Sequence, residues 1–144
     1  MNRKKRHWFW NILIVLTLVF CACAFVLHYK NWHSIEEGEL RITSGIYHKK
    51  VAISNIDSIS IVERIPEMER SHGFSWLEKE KGVFQDSLTQ SKVYVFVDDL
   101  RQPKIRLVHD DSLKMFLNFG DSLLTQNVYE NLNEKLALKL EAQK

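Results

Sequence analysis

Apolar residues are spread unevenly along this chain. One unbroken run, residues 8–27 (WFWNILIVLTLVFCACAFVL), carries no charge, and only Asn11 and Thr17 in it are clearly polar. Twenty helical residues span about 30 Å, the thickness of a bilayer's hydrocarbon core. The run therefore predicts one transmembrane helix, placed at residues 8–29. Aromatic rings favour the headgroup level of a membrane. They stand at both edges of the run: Trp8, Phe9 and Trp10 at one, Tyr29 and Trp32 at the other.

Residues 30–39 are polar and charged and read as a linker. Beyond them the apolar positions recur with a period near two, the signature of half-buried strands. Strands are predicted at residues 40–43, 46–53, 56–65 (stopped by Pro66), 74–77, 83–84, 93–97, 105–108 and 113–119. Turns fall at residues 44–45, 54–55, 78–82, 98–103 and 110–112, and residues 66–73 (PEMERSHG) read as a loop. The period then changes. Leu124, Val128, Leu132, Leu136 and Leu140 recur every fourth residue, the stripe of an amphipathic helix at about 121–142. Asp121 or Ser122 is placed to cap its first turn.

About seven short strands followed by one helix define the expected fold class. It is mainly β with α: a barrel of about seven antiparallel strands, capped by a C-terminal helix and preceded by one N-terminal transmembrane helix. A sheet of that size curls and leaves an open end, which an apolar helix stripe can plug. The expected organisation is a basic tail at 1–7, the membrane helix at 8–29, the linker at 30–39 and the folded domain at 40–144.

Charge adds a direction. Arg3, Lys4, Lys5 and Arg6 crowd the N-terminal flank, whereas the other flank mixes its cations with Glu36, Glu37 and Glu39. The positive-inside rule puts the N-terminus in the cytoplasm and the domain at the outer face of the cytoplasmic membrane. The net charge of +2 gives no electrostatic case for a nucleic-acid partner. Cys21 and Cys23, both inside the apolar run, point to different faces of a helix, and the outer domain has no cysteine to build a disulfide framework. A cleaved signal peptide ending near residues 22–24, or a lipoprotein signal, is the alternative to a retained anchor. Against both, Phe25, Val26 and Leu27 extend the apolar run, and Phe20 before Cys21 does not suit a lipoprotein signal.

Candidate chemistry is sparse. The six histidines form no HExxH set, no glycine loop cradles phosphate, and the sequence around Ser75 lacks the final glycine of a nucleophile elbow. The pairs Asp98-Asp99 and Asp110-Asp111 fall at turns, where aspartate is common for backbone reasons. No catalytic, cofactor-binding or metal-binding residue is identified, and the chain reads as a non-enzyme without a cofactor. Arg70, placed in a loop beside Glu67, Glu69 and His72, is the single candidate interaction residue. Its bland reading is a surface ion pair; its sharper one is contact with a partner or anion.

The run Ile56 … Ile61-Val62-Glu63-Arg64-Ile65-Pro66, then Arg70, Gly73, Gly82-Val83-Phe84, Pro103-Lys104-Ile105, Asn118-Phe119 and Asp121 … Thr125 … Tyr129, resembles the bacterial pleckstrin-homology-like (PH-like) domain proteins of the small membrane-anchored type. The resemblance covers nearly all of the outer domain and implies a PH-like barrel. Its motif residues are architectural: Gly73 and Gly82 suit a positive φ or a bulge, Pro66 ends a strand, and Asp121 caps a helix. It brings no catalytic or general ligand residue. A basic first-hairpin loop of the phosphoinositide-binding kind is not matched, since only Arg41, Lys49 and Lys50 lie near Ser44-Gly45. The expected function is a membrane-anchored module that binds a protein or peptide, with the bilayer engaged through residues 8–29. The alternative is a ligand-binding or enzymatic domain with a pocket near Arg70 and the hairpin of Gly73 and Gly82. The orientation is checked by C-terminal fusions: alkaline phosphatase active and a green-fluorescent fusion exported by the general secretory route dark. The reverse pattern would overturn the argument from residues 3–6.

Overall fold

The computed structural model describes residues 3–143. Of the basic tail expected at 1–7, Met1, Asn2 and the side chains of residues 3–6 lie outside the described residues, as does Lys144. Helix α1 (Arg3–Tyr29) holds the apolar run. Its segment His7–Tyr29 is long and apolar enough to cross a membrane, and none of it is buried in the protein. Thr17 returns its hydroxyl to the Leu13 carbonyl at 2.9 Å, so the helix hides that polar group within itself.

The segment read as a linker is instead strand β1 (Trp32–Glu36), which pairs with β2 (Glu39–Ser44). The turn between them is Glu37-Gly38, with both φ values positive at 52° and 77°. That is the two-residue geometry that suits the twist of a hairpin. β3 (Tyr47–Ala52) completes a three-stranded sheet in the order β1-β2-β3. After a single 3-10 turn (Ile53–Asn55) come β4 (Ile56–Val62), β5 (Met68–Trp76), β6 (Lys79–Asp86), β7 (Lys92–Val97), β8 (Lys104–His109) and β9 (Leu113–Leu117). They form a six-stranded sheet in the order β4-β8-β9-β7-β6-β5. Helix α2 (Ser122–Ala142) follows.

The expected single barrel of about seven antiparallel strands is thus corrected to nine strands in two sheets, neither closed, with β7 and β9 running parallel. The sheet still has to curl. β4 and β5 are its two edges, yet only residues 63–67 connect them. In a flat sheet five spacings of about 4.8 Å would separate the edges by about 24 Å. Six Cα steps of 3.8 Å cannot exceed about 23 Å even when pulled straight. The corner therefore bends the sheet toward one face, where Ile65 and Met68 pack with Phe84, Val93, Val95, Val97 and Phe116. On the opposite face, Leu40, Ile42 and Val51 of the small sheet meet Phe96, Ile105, Leu107, Met115 and Leu117, and α2 joins them. β7 shows how one strand serves both cores: Val93, Val95 and Val97 face one, and Phe96 faces the other.

Two further expectations change. The first half of β5 was expected as a loop. β5 is an edge strand exposed along almost its whole length, so no buried face imprints an alternation on MERSHGFSW. The hairpin turn then falls at Leu77 and Glu78, earlier than residues 78–82. On α2, the buried positions are Thr125, Val128, Leu132 and Leu136, while Leu124 and Leu140 are exposed. Thr125 takes the inner position because its hydroxyl accepts from Phe119 N at 3.0 Å and donates to the Asp121 carbonyl at 3.2 Å. Asp121 caps α2, its carboxylate accepting from Leu123 N at 2.9 Å.

Truncating Leu132, fully buried on the inner face of α2, to Ala is expected to cost about 2–5 kcal/mol in denaturant unfolding. Leu124→Ala, on the exposed side of the same stripe, is expected to cost less than about 1 kcal/mol. Equal losses at the two positions would contradict the packing described.

Candidate functional site: the clamp at the end of α1

A helix end leaves its last carbonyls without partners in the helix. At the end of α1 the domain supplies them. Gly45 N donates to the Leu27 carbonyl at 3.2 Å, and Lys81 Nζ donates to the His28 carbonyl at 3.2 Å. Gly45 sits in the β2–β3 turn with φ +63°, and a Cβ there would lie 2.5 Å from the His28 ring. Only glycine fits that approach. His28 folds back, its Nδ1 lying 2.8 Å from the Ala24 carbonyl.

Lys81, on β6, is 1 % exposed and its ammonium lies 2.8 Å from Asp98 Oδ1. That contact sets the two buried charges directly against each other. Asp98 uses its other oxygen to accept from Asn31 N at 2.8 Å. The Asn31 amide donates to the carbonyls of Phe96 (2.6 Å) and Asn118 (2.8 Å) and accepts from Ser44 Oγ (2.6 Å). Asn118 closes the network. Its Oδ1 accepts from Asp98 N and Asp99 N, and its Nδ2 donates to the carbonyls of Asp99 and Pro103. All four principal side chains, Asn31, Lys81, Asp98 and Asn118, are buried. Burial pushes the Lys81 ammonium below its ordinary pKa, and the bond and charge of Asp98 oppose that shift.

This arrangement fixes geometry. It ties the last turn of α1 to the β2–β3 turn, to β6 and to the segments after β7 and β9. Lone buried ions are costly, and each is tolerable only with its partner in place. The network leaves little trace in the sequence because its members lie far apart: Asn31 reads as linker, and Lys81 and Asp98 read as turn residues. No local spacing joins Lys81 to Asp98. Asn118 alone carried a signal, as a residue of the family resemblance.

Arg70 lies on β5 and not in a loop. Its guanidinium is 3.7 Å from Glu80 across the hairpin and 5.7 Å over the Phe84 ring. Gly73 and Gly82 face each other on the same hairpin. Gly82 has φ +143°, and a Cβ on it would lie 2.3 Å from the His72 carbonyl oxygen. A register shift between Arg70 and His72 marks a bulge beside them. A cleft of about 650 Å³ opens under the corner, lined by Arg64, Pro66, Met68, Phe84 and Lys104 among others, with Arg70 outside the lining. Its Lys104 ammonium is occupied, donating to the carbonyls of Glu63 (2.7 Å) and Leu100, and burial lowers its pKa. Cys21 and Cys23 are exposed on α1. Among the described residues no three His, Cys, Asp or Glu side chains gather as a metal site.

Comparison with protein-family models, with curated proteins and with solved structures found no match to this chain.

Asp98→Ala leaves the Lys81 ammonium buried without its counter-ion and is expected to cost about 3–5 kcal/mol in unfolding of the full chain in detergent micelles. Lys81→Met is expected to be destabilising as well. The double variant Lys81→Met/Asp98→Ala should lose clearly less than the sum of the single variants. Additive losses would show that the two charges do not act as a unit.

Proposed function

We propose that the chain is a non-enzymatic, membrane-anchored binding domain of PH-like type, held at the outer face of the cytoplasmic membrane, and that its partner is an extended segment of another protein. The observation that carries the reading is the free edge of β5. This strand is nine residues long, hydrogen-bonded to β6 on one side only, and exposed along its length. Unpaired main-chain groups on such an edge accept a further strand, and neighbouring side chains select it. Glu69, Arg70 and His72 stand there to make that selection. The bulge between Arg70 and His72 limits indiscriminate edge-to-edge pairing. The PH-like part of the proposal is supported by the curled sheet and by a C-terminal helix packed across β4 and β8. α1 supplies the anchor.

The test places a photo-crosslinking amino acid at Glu69, at Gln126 on the outer face of α2, or at Arg64 in the cleft, in cells making the full chain. Protein adducts are expected from position 69 and not from 126 or 64. Adducts from 126 or 64 without any from 69 would move the binding surface away from β5. Small-molecule adducts at 64 alone would favour a ligand in the cleft.

A further inference from the structure

The β5–β6 hairpin turns at Leu77, with φ +54°, and its end carries three large apolar side chains on the surface: Phe74, Trp76 and Leu77. Leu77 is 84 % exposed and Trp76 52 %. Exposed apolar groups of this size at a loop tip call for an occupant. Their neighbours identify it. The Trp76 ring lies 6.2 Å from the ring of Phe25, and the Phe74 ring 6.5 Å from that of His28. Phe25 is inside the apolar run of α1, one helical turn before Tyr29. Helical side chains lean toward the N-terminus, so its ring sits deeper than its own Cα. The tip of the hairpin thus reaches back past the end of α1 and lies beside the helix at a level that already belongs to the membrane.

The polar residues around the tip agree. Lys79 projects its ammonium over the Tyr29 ring at 4.5 Å, and Lys30 places its own over Trp32 at 4.1 Å. Aromatic rings with cations just above them match the headgroup layer, where amphipathic rings settle and lysines reach anionic phosphates. Between helix and hairpin lies a niche of about 130 Å³ with an almost wholly apolar lining that includes Phe25, Phe74, Trp76 and Leu77. The far end of β6 lacks these neighbours. Leu88, at the tip of the β6–β7 hairpin, is 94 % exposed and stands alone.

We propose that Phe74, Trp76 and Leu77 form a second membrane contact, inserting the β5–β6 hairpin into the interfacial layer of the leaflet that α1 enters last. The proposal rests on the reading that α1 spans the bilayer. Because the clamp fixes the hairpin to α1, insertion sets the tilt of the whole domain and leaves the upper part of the β5 edge, Met68 to His72, above the headgroups.

The test uses the full chain with Cys21→Ala and Cys23→Ala, carrying Leu77→Cys or Leu88→Cys for a nitroxide label. It is reconstituted in vesicles of equal parts phosphatidylcholine and phosphatidylglycerol. Flotation with the vesicles in a density gradient comes first. If the protein fails to float, the anchor reading itself falls. In floated protein, the label at position 77 is expected to be relaxed by oxygen and to lose relaxation by an aqueous nickel chelate, whereas that at 88 shows the reverse. Equal exposure of both labels to the chelate would overturn the insertion while leaving the anchor intact. Spin–spin broadening at 77 that disappears on dilution with unlabelled protein would overturn it too, assigning the tip to a second copy of the chain.

Discussion

The buried ion pair of Lys81 and Asp98 at the end of α1 is the interaction on which the architecture depends. A long apolar helix followed directly by a β-domain has a weak point where its last carbonyls emerge with no helical partner. Here that point is built into the domain. Lys81 meets the His28 carbonyl and Gly45 the Leu27 carbonyl, while Asn31, two residues beyond the helix, is bonded on every side. A cation at a helix C-terminus also complements the helix dipole. Buried ion pairs are poor sources of net stability, because desolvation offsets most of their attraction. What this one supplies is direction: removing either charge strands the other, so only one arrangement of helix and domain satisfies both.

The same device recurs at two further breaks in regular structure. Lys104 reaches the carbonyls of Glu63 and Leu100 at the corner that bends the large sheet. Lys139, near the end of α2, reaches those of Ser54 and Ile56 at the break before β4. Each of these lysines donates to main-chain carbonyls at or between the ends of regular elements, and each joins segments far apart in the chain. A sheet whose edges are held by a five-residue corner needs such fastening, since the corner cannot continue the ladder. The acidic counterpart is Asp86, which takes Lys114 on one oxygen and the amides of Leu88 and Thr89 on the other, holding its carboxyl at about 2.

What could be read from the sequence follows what sequence patterns record. The apolar run gave α1 because hydrophobic length is a direct requirement of a bilayer. β7, β8, β9 and α2 were legible because each buries a face and so carries a period. β1 and the first half of β5 were not, since an exposed edge strand leaves no alternation behind, though Glu37-Gly38 was a turn signal that could have revealed β1. The two-sheet arrangement could not be counted from strands alone. The curl of the large sheet, by contrast, follows from the distance that residues 63–67 can cover between its two edges. The clamp was the least legible part: Lys81 and Asp98 are ordinary surface residues by type, and only tertiary placement makes them buried partners. Arg70, the residue that local context favoured, is paired across its hairpin with Glu80.

With the clamp in place, α1 and the domain move as one body. Nitroxide labels at Leu18→Cys on α1 and Leu88→Cys at the far end of β6, in the background with Cys21→Ala and Cys23→Ala, test it directly by pulsed dipolar spectroscopy in vesicles. Both positions are exposed. One narrow distance distribution is expected, broadening when Lys81→Met and Asp98→Leu are introduced together, with the domain still folded by circular dichroism. A broad distribution in the protein with its clamp intact would contradict it.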